Sequence, residues 1–328
     1  MKVLITGASG FVGQVLAESL LAQDHTVILT DLVTPPIPGG DGDGGRQHPN
    51  AVAVAADLTA EPFPAASLLL TEDLDAIYVL HGIMSSGSEA DLELGYRVNL
   101  SATVRLLDAV RARCRRGVRV VYASSCAAYG GPGLPPRPSE ATLPTPEGSY
   151  GTQKLMVELL LNDYTRRGLV TAFSVRLPSI TVRPGAPAQA ASSWMSGIVR
   201  EPLQGRESVL PVLDDDFACW VCSPRTLVRN LERCLVLPRD CMEPHIRQVL
   251  LPGVTVTVGE MLAALRRVGG DEAVRLVRRE RPSDAAARLF ESWPVGFDVT
   301  RALAIGFEPA GTFLEAVEDF AAGLRLRN

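Results

Sequence analysis

Apolar positions along the chain fall into two alternating rhythms. Short, β-branched runs at Lys2–Thr6, Thr26–Thr30, Ala51–Ala56, Ala76–Leu80, Val118–Ala123 and Val170–Arg176 are nearly continuous in apolar character, as strands covered on both faces of a parallel sheet must be. Between them the spacing becomes helical. Val12, Val15, Leu16 and Leu20 follow the first run, and Val98, Leu106, Leu107 and Val110 mark one side of a single long helix predicted over Asp91–Arg115. A second long helix is predicted over Tyr150–Arg167, with Ser149 as its N-cap. This alternation predicts an α/β fold built on a doubly wound parallel sheet of about seven strands. From Leu177 the rhythm loosens into helices near Ala188–Arg200 and over Pro224–Leu237, a strand near Gln248–Leu251, and short helices to the end. The expected organisation is a nucleotide-type domain over 1–177 and a smaller substrate-binding lobe, mainly 178–328, whose strand near 248–251 returns to the sheet.

The turn between the first strand and the first helix carries Gly7, Gly10 and Gly13. A dinucleotide pyrophosphate needs backbone N–H groups close by and a helix N-terminus aimed at it, and side chains at these positions would obstruct it. The spacing is Gly-x-x-Gly-x-x-Gly, weak on its own, but the second strand ends on Asp31, eighteen positions after Gly13. A carboxylate there accepts hydrogen bonds from ribose hydroxyls and repels a 2′-phosphate, so NAD is favoured over NADP and the domain reads as Rossmann-type. After the third strand, Asp57-Leu58 stands where a carboxylate meets the adenine amino group, or simply starts a helix. The fourth strand ends in His81-Gly82-Ile83. His81 reads as structural, and Gly82 and Ile83 would border the cofactor ribose.

Composition narrows the partners. The chain has 328 residues, 46% hydrophobic and 21% charged, with mean hydropathy +0.14, which suits an ordinary α/β enzyme. A net charge of −5 and a pI near 5.5 exclude a basic surface for nucleic acid or an anionic membrane. No run approaches the ~20 apolar residues of a membrane span. The strand at the very start leaves no room for a signal peptide, so a cytoplasmic location is expected. Cys219-x-x-Cys222, with Cys234 and Cys241 beyond, lacks the second close pair or spaced histidines that zinc needs. No metal is expected, and these cysteines read as small buried hydrophobes. The proline- and glycine-rich stretch Val33–Asn50, including Asp41 and Asp43, reads as an exposed loop rather than a calcium loop.

The chemistry sits at two places. Ser124-Ser125 end the fifth strand, the edge where parallel sheets bind ligands. Tyr150 and Lys154 are four apart and share a helix face. A phenol is a poor base at neutral pH, but a neighbouring ammonium stabilises the phenolate. Lys154 would do this while bonding the nicotinamide ribose, Ser125 would hold the substrate oxygen, and Tyr150 would take the hydroxyl proton as hydride passes to NAD.

The ordered set Thr6-Gly7-Ala8-Ser9-Gly10-Phe11-Val12-Gly13, Asp31, Asp57-Leu58, Val98-Asn99, Ser124-Ser125-x-x-x-Tyr129-Gly130 and Tyr150-x-x-x-Lys154 resembles the extended short-chain dehydrogenase/reductase family across essentially the whole chain. The resemblance implies a catalytic tetrad of Asn99, Ser125, Tyr150 and Lys154. It implies cofactor contacts from Gly7, Ser9, Gly10, Phe11, Val12, Gly13, Asp31, Leu32, Asp57, Leu58, His81, Gly82, Ile83, Asn99, Tyr150, Lys154, Pro178 and Ile180, and substrate contacts from Ser85, Ser125, Cys126, Tyr150, Arg183, Ser192 and Trp194. It also implies a homodimer formed through the helices carrying Asn99 and Tyr150.

Within that family the chain is similar to the D-erythronate dehydrogenase-like branch, which oxidises a sugar acid at C2 with NAD. The likeness is carried by 90–99, Arg183-Pro184-Gly185, Ala190-Ala191-Ser192-Ser193, 196–203, Trp220 with Ser223-Pro224-Arg225, and 257–261. Two places depart from it. Ala188-Gln189 stands where the branch usually has Asn-Lys, and Ala218 where it has an arginine. Losing two cations implies a less polar pocket, with Phe217 and Trp194 nearby. The alternatives are therefore a dehydrogenase or reductase of a less polar carbonyl compound and a nucleotide-sugar epimerase. The epimerase would need a diphosphate pocket for which the C-terminal lobe shows no basic cluster. A non-catalytic NAD sensor is disfavoured by the presence of both Tyr150 and Lys154.

Overall fold

In chain order the strands are β1 (Lys2–Thr6), β2 (Thr26–Asp31), β3 (Ala51–Ala55), β4 (Ala76–Val79), β5 (Val118–Ser125), β6 (Val170–Leu177), β7 (Ser179–Ile180), β8 (Ser208–Leu210), β9 (Ala218–Cys222), β10 (Gln248–Leu250), β11 (Val254–Thr257) and β12 (Val277–Arg279). The computed structural model describes residues 1–39, 48–185 and 190–325, so Asp41, Asp43, Ala188 and Gln189 lie outside the described residues. Seven strands form one sheet in the order β10-β6-β5-β4-β1-β2-β3. Pairing is parallel between β1 and β2, β1 and β4, β2 and β3, and β4 and β5, with Val3 opposite both Val27 and Ala76. The order runs outward in one direction from β1 through β3 and in the other through β4 to β6. The reversal beside β1 is the switch point where doubly wound sheets take ligands.

Two compact units share the chain. One comprises Met1–Ala128, Gly148–Arg176 and Val228–Val249; the other comprises Tyr129–Glu147, Leu177–Leu227 and Leu250–Asn328. Beyond the interleaving expected from the strand near 248–251, Tyr129–Glu147 groups with the second unit and all of Val228–Val249 with the first.

In the first unit, Leu4, Ile28 and Ile77 of the sheet pack with Leu106, Leu107 and Val110 of one helix and Val157 and Leu161 of another. Each such aliphatic side chain, fully removed from water, contributes roughly 1.5–3 kcal/mol. The helix predicted over Asp91–Arg115 differs from expectation. It is α-helical over Leu92–Gly95, π-helical over Tyr96–Ser101 and α-helical again over Ala102–Arg113, with the Ala102 N–H donating to Arg97 O. Hydrophobic spacing does not report this widened turn, because the apolar stripe continues on either side of it.

Ser149 is not the N-cap of the second long helix, as expected, but its first residue. The helix spans Ser149–Arg166, Gly148 occupies the cap position without a side-chain bond, and Glu89 Oε2 accepts from Ser149 N at 3.0 Å. A carboxylate brought from another helix, Ser85–Ala90, serves the helix end in place of a local hydroxyl.

The second unit holds a three-stranded sheet, β11-β9-β7, and the pair β12-β8. Its core joins Trp194, Met195, Ile198 and Val199 with Val256, Met261, Phe313 and Val317. The short helices expected towards the end include Asp284–Glu291 and Thr300–Ala304, but they are preceded by a longer one, Val258–Arg275, opened by a capping box between Thr257 and Glu260 and kinked at Gly270, whose φ is 73°. Among the described residues no helix is long and apolar enough to cross a membrane.

Candidate active site

The loop after β1 is shaped by contact between backbones. Gly7 has φ +65°, and a Cβ there would lie 2.6 Å from His81 N; at Gly13 it would lie 2.7 Å from both Ala8 Cα and Gly7 O. Neither position accepts a side chain without moving the strand or the helix. Gly10 caps the helix Phe11–Ala22 with no side-chain hydrogen bond and no acidic residue in the first turn. The first N–H groups of that helix therefore keep their partial positive charge without a side-chain competitor, which fits the diphosphate of a dinucleotide. Ser9 is exposed, and Phe11 and Val12 are half-buried beside it.

Asp31 ends β2 and ties the loop to it, with Oδ2 accepting from Ser9 N at 2.9 Å and Oδ1 from Leu32 N at 2.8 Å. The exposed Asp57 accepts from both Thr59 N (2.9 Å) and Thr59 Oγ1 (2.7 Å), and the Thr59 hydroxyl holds its carboxyl below the usual range. No helix starts at Asp57, which sits instead at the head of a turn. Leu58 next to it is buried.

The tetrad positions all belong to the first unit. Ser125 is the last residue of β5, and its Oγ accepts from Ala127 N at 3.1 Å in the short turn Cys126–Ala128. Tyr150 and Lys154 sit on successive turns of the helix Ser149–Arg166. The Lys154 Nζ lies 5.4 Å from the centre of the Tyr150 ring and 4.8 Å from that of Tyr122 on β5. Lys154 is only 3% exposed, and burial lowers its pKa to about 8 against the opposing pull of Glu158. Two ring faces offset part of that lost hydration.

A Cβ on Gly82 would lie 3.6 Å from Lys154 Nζ and 2.9 Å from Asn99 Oδ1, which places all three residues together. Asn99, in the π turn, accepts from Ile83 N (2.7 Å) and donates to Ile83 O (3.0 Å), Ser88 Oγ (3.1 Å) and Gln153 Oε1 (2.7 Å). Its amide thus fixes the segment after β4 to the helix of Lys154. His81 is bonded on both sides of its ring, to Thr6 Oγ1 at 2.8 Å and Thr103 Oγ1 at 3.2 Å. Enclosure of the ring, reinforced by the Lys154 charge, pushes its pKa down to about 3, so it stays neutral at working pH. Ser85 opens the helix Ser85–Ala90, and the Cys126 thiol faces Arg176 O at 3.8 Å.

Several residues here are absent from the sequence-based set. Gln153, buried beside Lys154, anchors Asn99. Glu158 accepts the Ser124 hydroxyl on Oε1, together with Arg176 Nε at 2.9 Å, and takes Arg176 Nη2 on Oε2 at 2.6 Å. The available signal was the continuation of the four-residue stripe Tyr150, Lys154, Glu158 along one helix face.

The remaining predicted residues lie in the second unit. Pro178 and Ile180 are buried; Arg183 donates from Nε to Ile180 O at 2.9 Å and from its backbone N to Ser196 Oγ at 3.1 Å. Ser192 lies in the turn Ala191–Ser193, and Trp194 is 7% exposed with its ring 6.2 Å from that of Phe290. Ala218 opens β9, preceded by the half-buried Phe217. Cys219, Cys222 and Cys234 are buried, and burial raises the first two thiols to about 12.

Comparison with known proteins carries this architecture to a family. A model of the NAD dependent epimerase/dehydratase family matches residues 3–215. The chain is 40% identical over 325 residues to a D-erythronate dehydrogenase of Haemophilus influenzae, covering 98% of each protein. It is 38% identical over 331 residues to a D-erythronate dehydrogenase of Cupriavidus necator, again over 98% of both. Among solved structures, a nucleoside-diphosphate-sugar epimerase from Agrobacterium tumefaciens is similar with a TM-score of 0.85 at 39% identity, covering 97% of this chain and 92% of that one. With the glycine turn, Asp31 and the Tyr150–Lys154 pair in place, the chain belongs to the NAD-dependent epimerase/dehydratase family of extended short-chain dehydrogenase/reductases and is an NAD-dependent oxidoreductase.

Proposed function

We propose that the protein oxidises a C2-hydroxy sugar acid, D-erythronate, with NAD. The observation that carries this reading is the 40% identity to a D-erythronate dehydrogenase along 98% of both chains. When bound, NAD supplies the hydride acceptor. Ser125 Oγ holds the substrate hydroxyl, Tyr150 takes its proton, and the Lys154 ammonium favours the phenolate that does so. Asn99 keeps the Ile83 backbone and Gln153 in register with Lys154. Arg183 is assigned to the substrate carboxylate, with Ser85, Cys126, Ser192 and Trp194 as further substrate contacts.

The remaining assignments follow the same reading. A homodimer through the helices of Asn99 and Tyr150 suits the exposed Leu92, Met156 and Leu159. A cytoplasmic site of action suits free cysteines at 114, 126, 219, 222, 234 and 241. Ala218, where the branch carries an arginine, favours the second reading, a less polar carbonyl compound.

NAD reduction across aldonic acids, sugar alcohols and aryl or alkyl carbinols tests the choice. The expected result is the highest kcat/KM on D-erythronate. Neutral carbinols turning over while D-erythronate is ignored would replace the sugar acid with the second reading.

A further inference from the structure

Behind the tetrad three buried side chains are bonded to one another. Ser124, immediately before Ser125, donates its hydroxyl to Glu158 Oε1, and Arg176 of β6 clamps the same carboxylate through Nε at 2.9 Å and Nη2 at 2.6 Å. All three are buried, with Glu158 at 0% exposure and Arg176 at 3%. Glu158 lies one turn beyond Lys154, which lies one turn beyond Tyr150. One carboxylate thus joins the end of the strand carrying Ser125, the helix carrying the acid/base pair and the neighbouring strand. A buried ion pair of this kind gives little net stability over an apolar pair of the same size, so stability alone does not account for it.

We propose that Glu158 is a positioning residue for the dehydrogenase reaction, holding Ser125 in register with Tyr150 and Lys154 through Ser124 and Arg176 and balancing the charge behind Lys154. The inference rests on the dehydrogenase reading of the tetrad.

The charges around Lys154 come from four elements. Tyr150 and Glu158 share its helix, Tyr122 faces it from β5, His81 from the end of β4, and Arg176 of β6 acts through Glu158. His81 is neutral, and burial holds Tyr122 neutral by raising its pKa. The Glu158–Arg176 pair sums to zero. Without Glu158, Arg176 leaves one positive charge, and both Tyr150 and Lys154 lose protons more easily. Without Arg176, a negative charge remains and both hold their protons longer.

The test is the pH profile of kcat/KM for Glu158→Gln, Arg176→Met and the double variant, with thermal melts alongside. Both limbs should move to lower pH in the first, to higher pH in the second, and return in the double. The kcat should fall by about tenfold or more in all three, with KM for NAD little changed, because each breaks the Ser124–Glu158–Arg176 tie between the two strands and the helix. Phenolate absorbance of the NAD-free protein, wild type minus Tyr150→Phe, should show the same opposed shifts without turnover.

Shifts in one direction only, no shifts in folded single variants, or a double variant with wild-type kcat would overturn the proposal. If a single variant does not fold, the double variant and Ser124→Ala decide. A lowered kcat at unchanged KM and unchanged limbs supports the proposal, and wild-type kcat in both overturns it. An active Tyr150→Phe enzyme would instead overturn the dehydrogenase reading, leaving the absorbance shifts to report on Glu158 by themselves.

Discussion

In the first unit buried polar side chains link the elements that carry the tetrad positions, whereas the second unit is built mainly on an apolar, aromatic-rich core. Asn99 makes four side-chain bonds to Ile83, Ser88 and Gln153, and Glu158 binds Ser124 and Arg176. In the second unit the core is Trp194, Met195, Phe290, Phe313 and Phe320 with aliphatic neighbours; buried side-chain atoms without a partner among the described residues occur in both units, at Tyr122, Gln153, Ser174 and Arg247 in the first and at Trp194, Ser208 and Trp220 in the second. The difference teaches where information about function resides. Oriented, desolvated polar groups are costly to place and so point to a reaction, while an apolar core accepts many sequences of similar volume.

The sharpest way to break that comparison is Tyr150→Phe. Removing only the hydroxyl should lower kcat by roughly 10²–10⁴-fold, the worth of a positioned general base. NAD should still bind, as measured by quenching of protein fluorescence. Turnover near the wild-type rate would strip the first unit of its catalytic claim.

A smaller effect is expected at Asp31, whose carboxylate holds Ser9 N and for which we propose a contact to the cofactor ribose. Asp31→Ala should shift the ratio of kcat/KM for NAD over NADP by at least about tenfold, or about 1.4 kcal/mol. An unmoved ratio would mean that cofactor choice is made elsewhere.

The second unit offers an effect on stability alone. Trp194→Phe removes an unpartnered N–H along with some ring volume, and denaturant melts should show a change of only about 1–2 kcal/mol. A loss of about 3–5 kcal/mol, typical of deleting a core aromatic outright, would show that this core is as exacting as the polar network of the first unit.

The same contrast explains how much the sequence disclosed. The strands, Gly7 and Gly13 were legible because each follows from a local rule: continuous apolar runs for a parallel sheet, or a backbone contact that excludes Cβ. Tyr150 and Lys154 were legible because their spacing is a helix turn. Glu89 at the start of the helix Ser149–Arg166, Gln153 on Asn99, and Arg176 on Glu158 were not, since each partner lies 18 to 60 residues away in the chain. The strands β8, β9, β11 and β12 were missed for a related reason. They are three to five residues long, and their pairing is fixed by tertiary contacts rather than by alternation within each segment.

The π turn at Tyr96–Ser101 also constrains how the chain can be shortened or aligned. An α-helix advances about 100° per residue, so a turn that takes one extra residue puts Leu92–Gly95 about that far out of phase with Ala102–Arg113. Deleting any one residue between 96 and 101 would let the helix close regularly, but would swing Asn99 or its anchors Ser88 and Gln153 away from one another. A single-residue gap at this helix would therefore cost Asn99 part of its hydrogen bonding. A relative whose sequence aligns only with such a gap would have to hold Ile83 and Lys154 together by some other side chain.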